Sequence, residues 1–170
     1  DYDASLHRHA AAFGLGQQDL LNMYDFFQGT VEVKTRKSSI KDLNLSVSYQ
    51  VDPDNNITKV FQNDRLAVAV HHTPKRVGEL YYTETFDEFG NVANRIFYDS
   101  RGFKSSQEFL DGNEQVFAQI FYRLNGSRAL ERYWEQIKEN DGSQSYRIFN
   151  IRLVNYKGRD RYFNSEAELF

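Results

Sequence analysis

The rhythm of apolar and polar positions changes near residue 30. Before it, Leu20, Met23, Tyr24 and Phe27 fall at i, i+3, i+4 and i+7. This predicts a helix over Gln17–Gln28, with Asp19 in its first turn and Gly29 ending it. A shorter helix is expected just upstream, capped by Ser5, with Leu6, Ala10 and Phe13 on one face and Gly14 as its stop. Gly14-Leu15-Gly16 reads as the turn between the two helices rather than as a phosphate-cradling loop. The apolar stripe of this helical pair needs a partner surface.

From Thr30 the period becomes two. Thr30–Lys37 places Val31 and Val33 on one face. Leu43, Leu45, Val47, Tyr49 and Val51 alternate with polar neighbours, predicting a half-buried strand over Leu43–Val51. Asp52–Asn56 is a turn by composition, and strands follow at Ile57–Gln62 and Arg65–His72, the latter broken at Thr73-Pro74. Then a degenerate repeat appears. Phe86-Asp87-Glu88-Phe89-Gly90 and Tyr98-Asp99-Ser100-Arg101-Gly102 share an aromatic-Asp-x-x-Gly pattern twelve residues apart. Leu110-Asp111-Gly112-Asn113, Asn125-Gly126 and Asp141-Gly142 continue the punctuation.

The aspartates at 87 and 99 open turns by accepting hydrogen bonds from the backbone that follows, and glycines at 90, 102, 112 and 126 supply the left-handed residue that closes a hairpin. Strand-like runs lie between them at Val92–Tyr98, Phe103–Leu110, Gln115–Tyr122 and Ser145–Leu153. Arg128–Lys138 is ambiguous: Leu130, Tyr133, Trp134 and Ile137 have helical spacing, while a strand over 128–135 continues the hairpin series. No helical crossover fits between such closely spaced runs, which excludes a parallel sheet. The expected fold is mainly β: an extended antiparallel β-meander with a short N-terminal helical segment.

Composition sharpens this picture. The chain has 14 Phe, 11 Tyr and one Trp, residues suited to cross-strand packing. Gln115–Tyr122 carries apolar groups on both faces, with Phe117 and Phe121 opposing Val116, Ala118 and Ile120, so the sheet wants cover on both sides. Tyr81, Tyr98, Tyr122 and Trp134 are the aromatics set aside as candidate sugar-stacking or subunit contacts. The absence of cysteine excludes disulfides and thiolate chemistry and fits a reducing compartment; no transmembrane run or signal peptide is visible.

Net charge is −3, which argues against nucleic acid as a partner. Two basic sets nevertheless stand out as candidates for binding a polyanionic acceptor. One is Arg147, Arg152, Lys157, Arg159 and Arg161, opposed only by Asp160; the other is Arg65, Lys75 and Arg76, joined by His71 and His72. His7 and His9 diverge by about 200° on a helix, and His71 and His72 point to opposite faces of a strand, so no metal site is expected. Asp87 and Asp99 could be imagined as a glycosidase pair, but their turn-opening positions assign them a structural role.

Leu6-His7-Arg8-His9-Ala10-Ala11-Ala12-Phe13-Gly14-Leu15 and Leu21-Asn22-Met23-Tyr24-Asp25-Phe26-Phe27-Gln28, followed by the aromatic-Asp-x-x-Gly hairpins, resemble part of certain Gram-positive retaining GT-B glycosyltransferases. These glucosylate poly(glycerol phosphate), modify wall teichoic acid, or attach N-acetylglucosamine to serine-rich adhesins. The resemblance implies that residues 1–29 belong to the parent enzyme's first Rossmann domain and that 30–170 form an inserted β-meander. It further implies a parent enzyme that uses a UDP-sugar, a fragment with no catalytic residue and no cofactor of its own, and a cytoplasmic location at or near the inner face of the membrane. The sheet would serve acceptor binding, of a polyanion or a Ser-rich chain, and contact with another copy or a sister glycosyltransferase subunit. A pure oligomerisation module and a stand-alone carbohydrate-binding domain are the alternatives.

Overall fold

The computed structural model describes residues 2–20, 22–45, 48–76 and 78–169. Two short helices, α1 (Leu6–Ala12) and α2 (Met23–Gln28), precede ten strands: β1 (Tyr49–Asp52), β2 (Ile57–Gln62), β3 (Arg65–His72), β4 (Leu80–Phe86), β5 (Val92–Tyr98), β6 (Lys104–Leu110), β7 (Val116–Tyr122), β8 (Arg128–Lys138), β9 (Gln144–Tyr156) and β10 (Arg159–Phe163). The strands form one sheet in sequence order, every neighbour antiparallel. The expected meander is therefore what the chain builds. Among the described residues no helix is long and apolar enough to cross a membrane.

The repeat is stricter in the structure than in the sequence. Turns open at Asp87, Asp99, Asp111 and Arg123, twelve residues apart, each accepting a backbone hydrogen bond from the residue three positions on. That fourth position is left-handed in every case: Gly90 (φ 87°), Gly102 (φ 89°), Glu114 (φ 59°) and Gly126 (φ 81°). Gly112 is therefore not the closing residue of its turn. Glu114 holds that place, and the twelve-residue frame overrides the preference for glycine. The β8–β9 hairpin breaks the period, since Glu139 and Gly142 open and close it four residues late.

Each hairpin also carries a bulge, at Thr85/Phe86, Phe97/Tyr98, Phe109/Leu110, Phe121/Tyr122 and Tyr133/Trp134, again at intervals of twelve. Successive strands run in opposite directions, so these positions alternate between two rows. One row pairs Tyr82, Phe97, Ser106, Phe121, Leu130 and Leu153; the other pairs Thr85, Asn94, Phe109, Ala118, Tyr133 and Asn150. The rows are three residues apart along each strand and so face opposite sides of the sheet.

The first row is covered at its β7–β9 end. Tyr24 of α2 stacks on Phe121 with centroids 4.6 Å apart, Tyr2 meets both rings edge-on, and Leu130, Ile151 and Leu153 complete the core. The bulge residues left without a partner beneath this cover are small, Ser105 and Ala129. The buried Gln28 amide donates to the carbonyls of Ser105 (2.9 Å) and Tyr122 (2.7 Å), tying α2 to two neighbouring hairpins. A second core of Val60, Val70 and Leu80 lies on the other face, under Leu43 and Leu45.

The N-terminal segment is clamped by one buried ion cluster. Arg101 is 2% exposed. It donates to both carboxylate oxygens of Asp99 (2.8 and 3.0 Å), to Asp25 of α2 and to the carbonyl of Thr30 (2.6 Å). His7 of α1 reaches the other oxygen of Asp25 at 2.7 Å. Beside it, Arg36 N–H bonds the Arg101 carbonyl and Arg36 Nε bonds the Gly102 carbonyl. A Cβ on Gly102 would stand 2.2 Å from the Arg36 carbonyl oxygen, whereas one on Gly90 would meet nothing within 4 Å.

Several expectations are corrected. The predicted Gln17–Gln28 helix is interrupted: Gln17–Asp19 makes a single turn, Leu20 and Asn22 are extended, and the Asn22 side chain caps a new helix by accepting from Tyr24 N–H. Thr30–Lys37 is not a strand: its Thr30 N–H bonds the Asp25 carbonyl, its Val33 carbonyl accepts from Gln17, and its Arg36 N–H bonds the β5–β6 turn. Leu43–Val51 is a strand only from Tyr49. Ile40–Leu43 forms a helical turn held by Asp42 on Ser39 N–H, and left-handed Asn44 ends it. Val47 of that run and Leu21 lie outside the described residues. The Arg128–Lys138 ambiguity resolves to strand throughout, while β4 and β10 fall outside the runs that the alternation singles out. The helical stripe is only partly buried. Met23, Tyr24 and Phe27 lie on the sheet, but Phe13 is exposed.

Three substitutions test this fold. Arg101→Met leaves two buried carboxylates facing each other and is expected to cost about 3–5 kcal/mol by urea denaturation. Gly90→Ala is expected to cost about 1–2 kcal/mol for its left-handed backbone. Gly102→Ala should cost more than that in the same assay, because its Cβ also collides with Arg36.

Candidate functional site

Next to α2, on the same face of the sheet, the strands form the floor of an open cleft of about 490 Å³. The floor is the Glu108–Gln119–Arg132 part of a polar row that register pairing builds across five strands from Glu84 through Arg95. Its members bond along the row. Arg95 Nε donates to Glu84 at 2.9 Å, Gln119 Nε2 to Glu108 at 3.3 Å, and Arg132 to Gln119 Oε1. Arg132 also donates to the Tyr24 hydroxyl at 2.8 Å and to Glu166, which fixes the floor to α2 and to the C-terminal helical turn. Burial pushes the Tyr24 hydroxyl up to about 12, so it stays protonated.

Aromatic rings wall the cleft. Trp134 and Tyr146 rise from the β8–β9 hairpin, Tyr81 and Phe97 stand at the other side, and Tyr2 closes a third. Trp134 through Lys138 pair only with β9, because the described pairing of β7 with β8 ends at Tyr133. That overhanging ribbon exists because the last hairpin is four residues longer than the repeat. Arg132 lies 5.1 Å from the Trp134 ring centre. Burial raises the Glu108 carboxyl above its usual range, against the lowering pull of Arg95 and Arg132.

The candidate basic residues do not form one surface. Arg65, Lys75 and Arg76 sit on or just after β3, and Arg147 to Arg161 on β9 and β10. Six inter-strand steps separate β3 from β9, about 29 Å at ~4.8 Å each. Within the second set, Arg152 bridges Glu131 (3.2 Å) and Asp160 (2.6 Å), and Arg147 pairs with Glu135 (2.8 Å). Lys157 and Arg161 flank the Tyr156 ring at 5.4 and 5.5 Å, and Arg159 is exposed. In the first set Arg76 pairs with Glu79, Lys75 is exposed and left-handed, and Arg65 points its guanidinium at the Glu88 carbonyl.

The histidines are dispersed: His7 on Asp25, His9 on Asp3, His71 on Glu84 and stacked on Tyr82, and His72 on the Thr58 hydroxyl. Among the described residues no three potential metal ligands converge. Asp87 caps its own turn through Phe89 and Asn91 N–H, which hold its carboxyl below the usual range. Asp99 opens its turn and also binds Arg101. Sequence reasoning missed Arg101. In the preceding repeat the equivalent residue is Phe89, 81% exposed, so nothing in the motif signals a buried cation. It also missed Glu108, Gln119 and Arg132, which become neighbours only through strand register.

Of the four aromatics singled out, Tyr81 and Trp134 line the cleft. Tyr98 packs against the Val60–Val70–Leu80 core, and Tyr122 lies under the Lys104 ammonium at 3.9 Å. On the opposite face, the partnerless bulge residues Phe117 and Phe149 are 46% and 45% exposed. They contact Phe109 and Tyr133 at 6.4 and 6.5 Å between centroids.

The half-buried Glu108 has a titration signature. Its ionised form is disfavoured in the fold, so Glu108→Gln is expected to raise the melting temperature at neutral pH. The gain should vanish as the pH falls below the ordinary carboxyl value of 4.5, where Glu108 is neutral folded and unfolded alike.

No family model matches the chain, and no curated protein matches it. Solved structures do. The chain is similar to the Glycosylation Associate Protein (Gap123) complex from Streptococcus agalactiae, with a TM-score of 0.75 and 19% identity over 99% of this chain and 32% of that one. It is similar to the GtfA/B complex bound to UDP and GlcNAc, with a TM-score of 0.67 and 15% identity over 88% and 31%. It is also similar to S. aureus TarM, with a TM-score of 0.58 and 13% identity over 96% and 33%. The chain thus spans about a third of the length of these structures, and what it shares with the glycosyltransferase relatives anticipated from the sequence is their fold.

Proposed function

We propose that this chain is a non-catalytic sheet of a glycosyltransferase, or of such an enzyme's partner subunit, which holds an acceptor and docks a second chain while the sugar-nucleotide chemistry proceeds elsewhere. The observation that carries the reading is the division of labour between the two faces. One face is clamped by the terminal segments around an aromatic-walled cleft; the other leaves Phe117 and Phe149 uncovered beside Phe109 and Tyr133. A coherent exposed aromatic patch is the usual mark of a protein interface. The similar structures support it, since one is described as a complex bound to UDP and GlcNAc and another as a multi-protein complex. The acceptor is either a polyanion of the teichoic type or a Ser-rich chain. The separation of the two basic sets weakens the polyanion.

A pure association module is the second reading, and the Phe117–Phe149 patch alone would suffice for it. The purified chain is expected neither to hydrolyse UDP-glucose or UDP-N-acetylglucosamine nor to transfer from them; turnover would refute the proposal. In sedimentation experiments the chain is expected to self-associate. Phe117→Asp combined with Phe149→Asp should weaken that association at least tenfold, about 1.4 kcal/mol, with the circular dichroism unchanged.

A further inference from the structure

We propose that the cleft between Tyr81 and Trp134 binds an uncharged pyranose chain. The inference goes beyond the acceptor-holding reading, adding a ligand class that it does not name, and the binding belongs to this chain alone. The cleft's volume, about 490 Å³, lies within the range of small-molecule sites. Its lining runs from Tyr81, at the start of β4, to Tyr146 on β9. That is five inter-strand steps, about 24 Å, which suits a short oligosaccharide lying across the strands better than a single sugar.

Chemistry narrows the occupant. Pyranoses present flat faces of C–H groups edged by hydroxyls, so they need ring surfaces beside mixed donors and acceptors. Trp134, Tyr146 and Tyr81 supply the rings. Glu108 and Gln119 supply the acceptors and donors of the floor. Arg132 lines the same cleft and is held there by Gln119, the Tyr24 hydroxyl and Glu166.

Charge excludes the polyanion. Asp3, Glu108 and Glu114 line the cleft against Arg132 alone, and Arg132 is already paired with Glu166. A phosphate polymer would meet carboxylates there. The deepest of these carboxylates, Glu108, is hydrogen-bonded by Gln119 and its burial disfavours the ionised form, so the centre of the floor suits neutral hydroxyls. A neutral glycan fits both constraints.

The test is calorimetric titration of the purified chain with maltotetraose, with chitotetraose and with a glycerol phosphate oligomer. At least one neutral tetrasaccharide is expected to bind with a millimolar or tighter Kd, more tightly than the phosphate oligomer. Trp134→Ala and, separately, Tyr146→Ala on the overhanging ribbon should each weaken that binding at least tenfold. Phe89→Ala, in the exposed β4–β5 turn outside the cleft, should leave it unchanged. The proposal fails if no neutral sugar binds at tens of millimolar, if the phosphate oligomer binds more tightly, or if both cleft variants bind like the parent chain. Failure here with self-association intact would leave the docking role standing. Turnover of a UDP-sugar would remove the non-catalytic reading without touching the binding result.

Discussion

The guanidinium of Arg101 holds this molecule together. Burying a cation away from water costs several kcal/mol unless it is fully paired. Here Asp99 comes from its own turn, Asp25 from α2, and the Thr30 carbonyl from the segment leaving α2. The cluster is satisfied only when all three are in place, so the strand turn dictates where the helix sits. The position of α2 then sets Tyr24 on Phe121 and the Tyr24 hydroxyl on Arg132. Through Arg132 the same restraint reaches Gln119 and the floor of the cleft. A site lined by residues far apart in sequence is thus positioned by one turn.

The second organising constraint is arithmetic. A twelve-residue repeat with one bulge per strand returns each bulge to the same height on every other strand. Aromatic residues placed once per repeat are therefore dealt alternately to the two faces, Phe97 and Phe121 to one and Phe109 and Tyr133 to the other. The residue each bulge leaves without a partner then decides the character of its face. Ser105 and Ala129 leave room for α2, whereas Phe117 and Phe149 fill the space a cover would occupy. Over these strands a single periodic sequence so yields one side covered by α2 and one side with exposed aromatic rings.

This explains how much was legible. Turn spacing is local, so Asp87, Asp99 and the glycines at 90, 102 and 126 could be placed correctly from the sequence, and with them the meander. The frame at Gly112 was misread because glycine is so strong a turn signal, although counting twelve from Gly102 leads to Glu114. Residues 30–37 and 43–45 were misread because alternation was taken for pairing; Arg36 bonds a turn of the sheet instead, and Leu43 closes a helical turn that the Asp42 side chain caps. Glu108, Gln119 and Arg132 were invisible because they meet only once register is known. The basic residues drew attention because they cluster in sequence, yet the sheet places them far apart or pairs them with Glu131, Glu135 and Asp160.

The four extra residues of the final hairpin have a mechanical consequence. Beyond Tyr133, β8 has a single strand beside it, and two-stranded ribbons twist more and resist bending less than strands flanked on both sides. Trp134 and Tyr146 ride on that cantilever, while Tyr81 and Phe97 stand on strands braced left and right. One jaw of the cleft is compliant and the other is rigid. Its aperture can adapt to guests of different thickness while the sheet below keeps its register.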